Sequence, residues 1–171
     1  ELGNNSATTE SRIVNFGSRI VGVGQIVGLT ETQILGLSAG FSSVGIEAEA
    51  GGTSVSTAML EMNNAVIAGD ERLRILAQTA GMTANEFAST WETDAAGAFV
   101  SFVEGLGEAG DDAVGILAET VGENVRLSRA MLSAAGAGDV LRSSLDTAAR
   151  GWEENIALTK EAENRFNTFD S

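Results

Sequence analysis

Residues 28–43 read GLTETQILGLSAGFSS, and this stretch decides that the chain is helical. Thr30 stands where a helix N-cap accepts a backbone N–H, and Gln33, three residues on, can return a bond to the cap. Leu29 and Ile34 flank the pair as a hydrophobic staple. Leu37, Phe41 and Val44 then step by four and three, the spacing of one helix face, until Gly45 stops the helix. Gly36 and Gly40 lie four apart, so two positions without side chains share one side of the same helix.

The same grammar extends in both directions. Upstream, Ile13, Phe16, Ile20, Val23 and Val27 form an apolar stripe on a helix expected from about Thr8 to Val27, closed by Gly28. Downstream, a helix is expected over about Thr53 to Ala68, with Val55, Met59, Met62 and Val66 inward and Gly69 at its end. Asp70 caps a short helix that ends at Gly81. Thr83 and Glu86 make a second capping box, with Met82 and Phe87 as its staple. Thr93 opens a helix whose inward residues are Phe99, Val103 and Leu106. Short helices follow near Asp111–Val121 and Asn124–Ala135, and the longest runs from Asp139 to Phe166. No segment alternates apolar and polar residues as a half-buried strand would. The expected fold is all-α: one compact bundle of about seven or eight mostly short helices with a longer C-terminal helix. It forms a single domain over residues 1–171, a segment of a longer chain, with loose ends at 1–9 and 167–171.

Composition agrees. The chain is 43% hydrophobic, 20% charged and only 5% aromatic, with 21 glycines and no proline, cysteine, histidine or tyrosine. Breaks must therefore come from glycine and capping residues. A net charge of −14 argues against binding the phosphates of nucleic acid or anionic lipid headgroups. The charge is uneven. Between Arg74 and Arg126 there is no basic residue, yet Glu86, Glu92, Asp94, Glu104, Glu108, Asp111, Asp112, Glu119 and Glu123 all fall there. That is a solvated surface, or one that meets a basic partner.

Few residues offer chemistry. Gly105, Gly107 and Gly110 match a dinucleotide-binding spacing, but Glu108, Asp111 and Asp112 stand where phosphates would sit and the flanks are helical. The expected reading is a glycine turn followed by helix-capping carboxylates. No calcium-loop pattern occurs, so neither a metal nor a cofactor is expected. Nucleophilic catalysis lacks a base, since Lys160, the single lysine, lies in a charge-dense helix. Residues 10–26 faintly resemble the opening of lytic transglycosylases, which would make Glu10 the acid of a peptidoglycan-cleaving enzyme. Gln25 comes too soon for that family, and no tyrosine is present to line a sugar cleft.

Gly24 with Gly28, and Gly36 with Gly40, are two GxxxG pairs in a region where Glu31 is the single ionic residue between Ile20 and Ile46. In a membrane such pairs let helices cross closely. Glu31 divides the run into pieces short of the roughly 20 residues needed to span. A tightly packed hairpin in water is the expectation, with a membrane-active module for DNA delivery as the alternative.

The last helix carries WEENIALTKEAENR at residues 152–165. Leu141, Leu145, Ala148, Trp152, Ile156, Ala162 and Phe166 form a stripe along it. Trp152 is expected to anchor the core, so that Trp152→Ala costs about 3–5 kcal/mol. Glu161 and Arg165 make an outward i,i+4 pair worth about 0.2–0.5 kcal/mol.

Three blocks in order resemble the conserved region of tape measure proteins from long-tailed bacteriophages (siphoviruses). They lie at residues 16–66, 76–107 and 152–165, and the resemblance covers about residues 10–166. The most specific parts are GLT-x-x-Q-I, SVGIEAEAGGT, AGMTANEF and WEEN-x-ALTKEAE. The resemblance implies a structural virion protein with no catalytic residue in this block. A few self-associated copies of a long helical protein would occupy the tail tube lumen or tail tip, set tail length during viral tail assembly, and leave ahead of DNA during genome ejection. Implied partners are tail tube and tail-tip proteins, tail assembly chaperones and, during ejection, the host membrane, with no stable nucleic-acid binding. Implied locations are the virion, the host cytoplasm during assembly and the host envelope during ejection. A ruler should be an extended helix, whereas this segment reads as compact; it is therefore expected to be a globular part of such a protein and not its ruling portion.

Overall fold

A computed structural model describes residues 10–169, with side chains described over residues 10–165. The helices are α1 (Glu10–Val27), α2 (Glu31–Ser43), α3 (Ala48–Ala68), α4 (Glu71–Thr79), α5 (Ala84–Thr93), α6 (Ala95–Ala109), α7 (Ala113–Thr120), α8 (Val125–Ala135) and α9 (Gly138–Phe169). A 3-10 turn, Gly110–Asp112, leads into α7, and no strand occurs among the described residues. The expected loose end at 1–9, residues 170–171 of the one expected at 167–171, the Thr8 helix start and the side chain of Phe166 lie outside the described residues, whereas 167–169 are helical. The backbone of α9 continues through Phe169, three residues past its expected end.

Local chemistry sets most of the starts. Thr30 accepts from the Gln33 N–H at 3.1 Å while Gln33 Oε1 accepts from the Thr30 N–H at 3.0 Å. Thr83 and Glu86 repeat the box, and the bond from the Thr83 N–H holds the Glu86 carboxyl below its usual range. Asp70 caps α4 through the Arg72 N–H, and Asn124 caps α8 through the N–H groups of Arg126 and Leu127. Each satisfies donors that a helix start leaves orphaned.

Other boundaries differ from the sequence reading. Thr93 is the last residue of α5; Asp94 caps α6 by accepting from the Gly97 N–H at 3.0 Å. Helix α3 starts at Ala48 and not near Thr53, so Gly51 and Gly52 lie inside it. A Cβ at Gly51 would stand 2.1 Å from Ile46 Cγ2, and one at Gly52 would stand 2.6 Å from Arg19 Cβ. These glycines let α3 pack against α1 and the loop before it. Gly105 and Gly107 likewise lie within α6, where a Cβ would stand 1.7 Å from the Thr79 carbonyl oxygen and 2.5 Å from that of Ala135. They form no turn; of the three, only Gly110, with φ of 57°, takes a left-handed conformation. Asp111 and Asp112 precede α7 as expected, but Asp112 makes no side-chain capping bond.

Helix α2 sits at the centre of the first half, in contact with α1 on one side and α9 on the other. Ile34 and every residue from Gly36 to Ser42 are buried, as in a helix enclosed by neighbours on most sides; Leu35 is exposed. The buried Ser38 hydroxyl is satisfied by donating to the Ile34 carbonyl at 2.6 Å. Phe16 stacks on Phe41 at 5.3 Å between ring centres, and Phe41 meets Phe99 edge-on at 6.1 Å. That row ties α1, α2 and α6 into one core.

Candidate functional site

The glycine pairs singled out in the sequence do different jobs. Gly36 and Gly40 face α9. A Cβ at Gly36 would lie 3.0 Å from Leu145 Cα and 3.2 Å from the Ser144 carbonyl oxygen; one at Gly40 would lie 2.8 Å from Leu141 Cδ2. This is a close backbone-to-backbone crossing, made inside the chain. Gly24 faces Ile34 and Leu29 across the α1–α2 turn. Gly28 makes no helix contact: its φ of 83° and open surroundings make it the turn residue itself. Among the described residues no helix is long and apolar enough to cross a membrane.

Beyond the crossing, α9 outruns its support. Thirteen residues of α2 span about 20 Å and the 32 residues of α9 about 48 Å. Leu141 and Ala148 are buried, but every residue from Trp152 to Arg165 is exposed. The expected core anchor is therefore corrected: Trp152 is 51% exposed. The stripe keeps its period, but the helix it would pack on has ended. The anchoring tryptophan is Trp91, 2% exposed, whose Nε1–H donates to Asn63 Oδ1 at 3.0 Å and whose ring stacks on Phe87. The box–staple–stripe run of Met82, Phe87 and Trp91 carried the signal that could have found it. Glu161 and Arg165 do pair, at 2.5 Å, on exposed surface.

Two polar links hold α9 and α2 to α6. Arg142 donates to both Glu104 oxygens at 2.9 and 2.7 Å and to Ser101 at 3.3 Å. The hydrogen bond from Arg142 holds the Glu104 carboxyl below its usual range. Gln33, already in its capping box, donates its amide to Asp94 Oδ1 at 3.0 Å, so one side chain joins two helix starts.

Two clefts remain. One, about 510 Å³, lies between α1, α3 and α8; it is lined by Arg19 and Arg126 together with Glu47 and Glu49. Its charges balance, so it favours neither sign of ligand. The other, about 560 Å³, runs between α1, α2 and α9, and Glu10, Trp152 and Glu154 all line it. Glu10 and Gln25 sit near opposite ends of α1, about 22 Å apart along its axis, so the pair that suggested a transglycosylase does not converge. Among the described residues no group of three or more Asp or Glu gathers as a metal site would require. None of the protein-family models, curated proteins or solved structures compared with the chain matches it.

Proposed function

We propose that the chain is a non-catalytic structural segment of a phage tail tape measure protein, a compact head within a long helical ruler. The reading rests on the ordered blocks at residues 16–66, 76–107 and 152–165. The geometry adds one supporting observation: a glycine-packed bundle from which a single helix runs on, with no residue from 152 to 165 buried. A chain of this length wound as one helix would reach about 260 Å. The bundle folds most of that length back on itself, so it suits a plug or docking element better than a ruler. In this role the segment lies in the tube lumen or at the tail tip, associates with tail proteins, and is expelled before DNA.

Quantitative mass spectrometry of tails made by the encoding genome tests this. Peptides of the chain are expected in filled tails and depleted from tails that have ejected their DNA. Their absence from filled tails, or equal amounts before and after ejection, would contradict the assignment.

A further inference from the structure

Four of the large apolar side chains left exposed, Val14, Leu35, Trp152 and Leu158, line the same 560 Å³ groove. Its floor includes the buried Ile13 and Ala148. Apolar surface gathered in one concavity marks an interaction site more often than apolar residues scattered singly. Glu10 and Glu154 also line the groove, no basic side chain does, and neither carboxylate has an ion-pair partner among the described residues.

We propose that this groove docks an amphipathic helix with a basic polar face. Along α9 it runs from Thr147 to Leu158, about 16 Å or three helical turns, which suits a partner helix presenting apolar anchors at i, i+3 or i+4, and i+7. The carboxylates select the partner's charge. Lysine or arginine flanking the anchors would meet Glu10 and Glu154 at the groove and a chain of net charge −14 on approach. A second copy is the poorer occupant, because it would bring two equally acidic rims together. The proposal stands apart from the tail assignment, since it uses only the groove's shape and charge.

The full chain is titrated with a synthetic amphipathic helix of leucine and lysine, and with its counterpart carrying glutamate for every lysine. Trp152 is the reporter: Trp91 is buried, so acrylamide quenching reads the groove, and Trp152→Phe supplies the blank. The lysine helix is expected to shield Trp152 and blue-shift its emission, less so as salt rises. Glu10→Gln with Glu154→Gln should weaken binding about threefold to tenfold. Leu158→Ser should weaken it at least about twofold. Both variants alter exposed side chains, and unchanged circular-dichroism melts confirm that they fold. Glu92→Gln with Glu119→Gln, exposed carboxylates outside the groove, should leave binding unchanged. Equal binding of the glutamate helix, lysine-helix binding without shielding of Trp152, or equal weakening by the Glu92/Glu119 variant would overturn the proposal. So would sedimentation showing a dimer in which Trp152 is already shielded.

Discussion

Replacing Gly36 and Gly40 together by alanine should destabilise the protein, against the usual direction of glycine-to-alanine changes in helices. Alanine gains about 0.8–1 kcal/mol per interior helix site. At Gly36, however, the new methyl would sit 3.0 Å from Leu145 Cα, a backbone atom that moves only if α9 moves. At Gly40 it would sit 2.8 Å from Leu141 Cδ2 and 3.2 Å from Leu141 Cα, and Leu141 is fully buried. Overpacking of this kind costs about 1–3 kcal/mol per site. Over two sites a cost of about 2–6 kcal/mol outweighs a gain of about 1.6–2 kcal/mol, so the double variant should lose about 2 kcal/mol net, with Tm lower by about 4–8 °C. Gly22→Ala and Gly115→Ala are the controls: both glycines lie in helices with nothing within 4 Å of a new Cβ. Each should stabilise by up to about 1 kcal/mol. Urea unfolding followed by far-UV circular dichroism reads all four sites. Stabilisation of the Gly36/Gly40 double variant to match the controls would refute the close crossing of α2 and α9.

Trp91→Ala should cost about 3–5 kcal/mol and Trp152→Ala no more than about 0.5 kcal/mol, measured by the same unfolding curves. Gln33→Glu keeps an acceptor for the Thr30 N–H but exchanges the amide donated to Asp94 for a second carboxylate. A loss of about 0.5–2 kcal/mol is expected at neutral pH; stability unchanged from the parent would contradict the link. The Glu104–Arg142 pair is partly exposed and should contribute about 0.2–1 kcal/mol. Because the folded state lowers the Glu104 pKa, that contribution is present above the ordinary carboxylate range and is lost as pH falls through the folded value. Arg142→Ala should therefore cost more stability at pH 7 than in acid, where the bond to Ser101 is the polar contact left to lose.

Helix starts with a side-chain cap were mostly legible in the sequence, because a cap is a local bargain among four or five residues. The starts read at Thr53 and Thr93 were not, since α3 begins at Ala48 without a side-chain cap and Asp94 caps α6. Thr30 with Gln33, Thr83 with Glu86, Asp70 and Asn124 all cap as their spacing indicates. Interior glycines were not legible in the same way. Gly51 and Gly52 fell outside the helix expected from Thr53, and Gly105 and Gly107 read as a turn, because one sequence cannot say whether a glycine ends a helix or admits a neighbour. The approach of Ile46 and Arg19, and of the carbonyls of Thr79 and Ala135, decides it. Trp152 failed for a related reason. Its stripe has the right period, but burial depends on how far α2 reaches, and that length belongs to another segment. The dense charge of residues 153–165 was the available hint of solvent on every side. The groove joining Glu10 to Trp152 links opposite ends of the sequence, so no local pattern announced it.

The central claim is that this segment is a compact part of a tail ruler and not the part that measures. Tail length in electron micrographs, compared between particles made by the encoding genome and by an in-frame deletion of residues 10–169, tests it most directly. Any tails formed by the deletion should keep their length while assembly or infection fails. Tails shorter by about 1.5 Å for each residue removed, and otherwise intact, would contradict it.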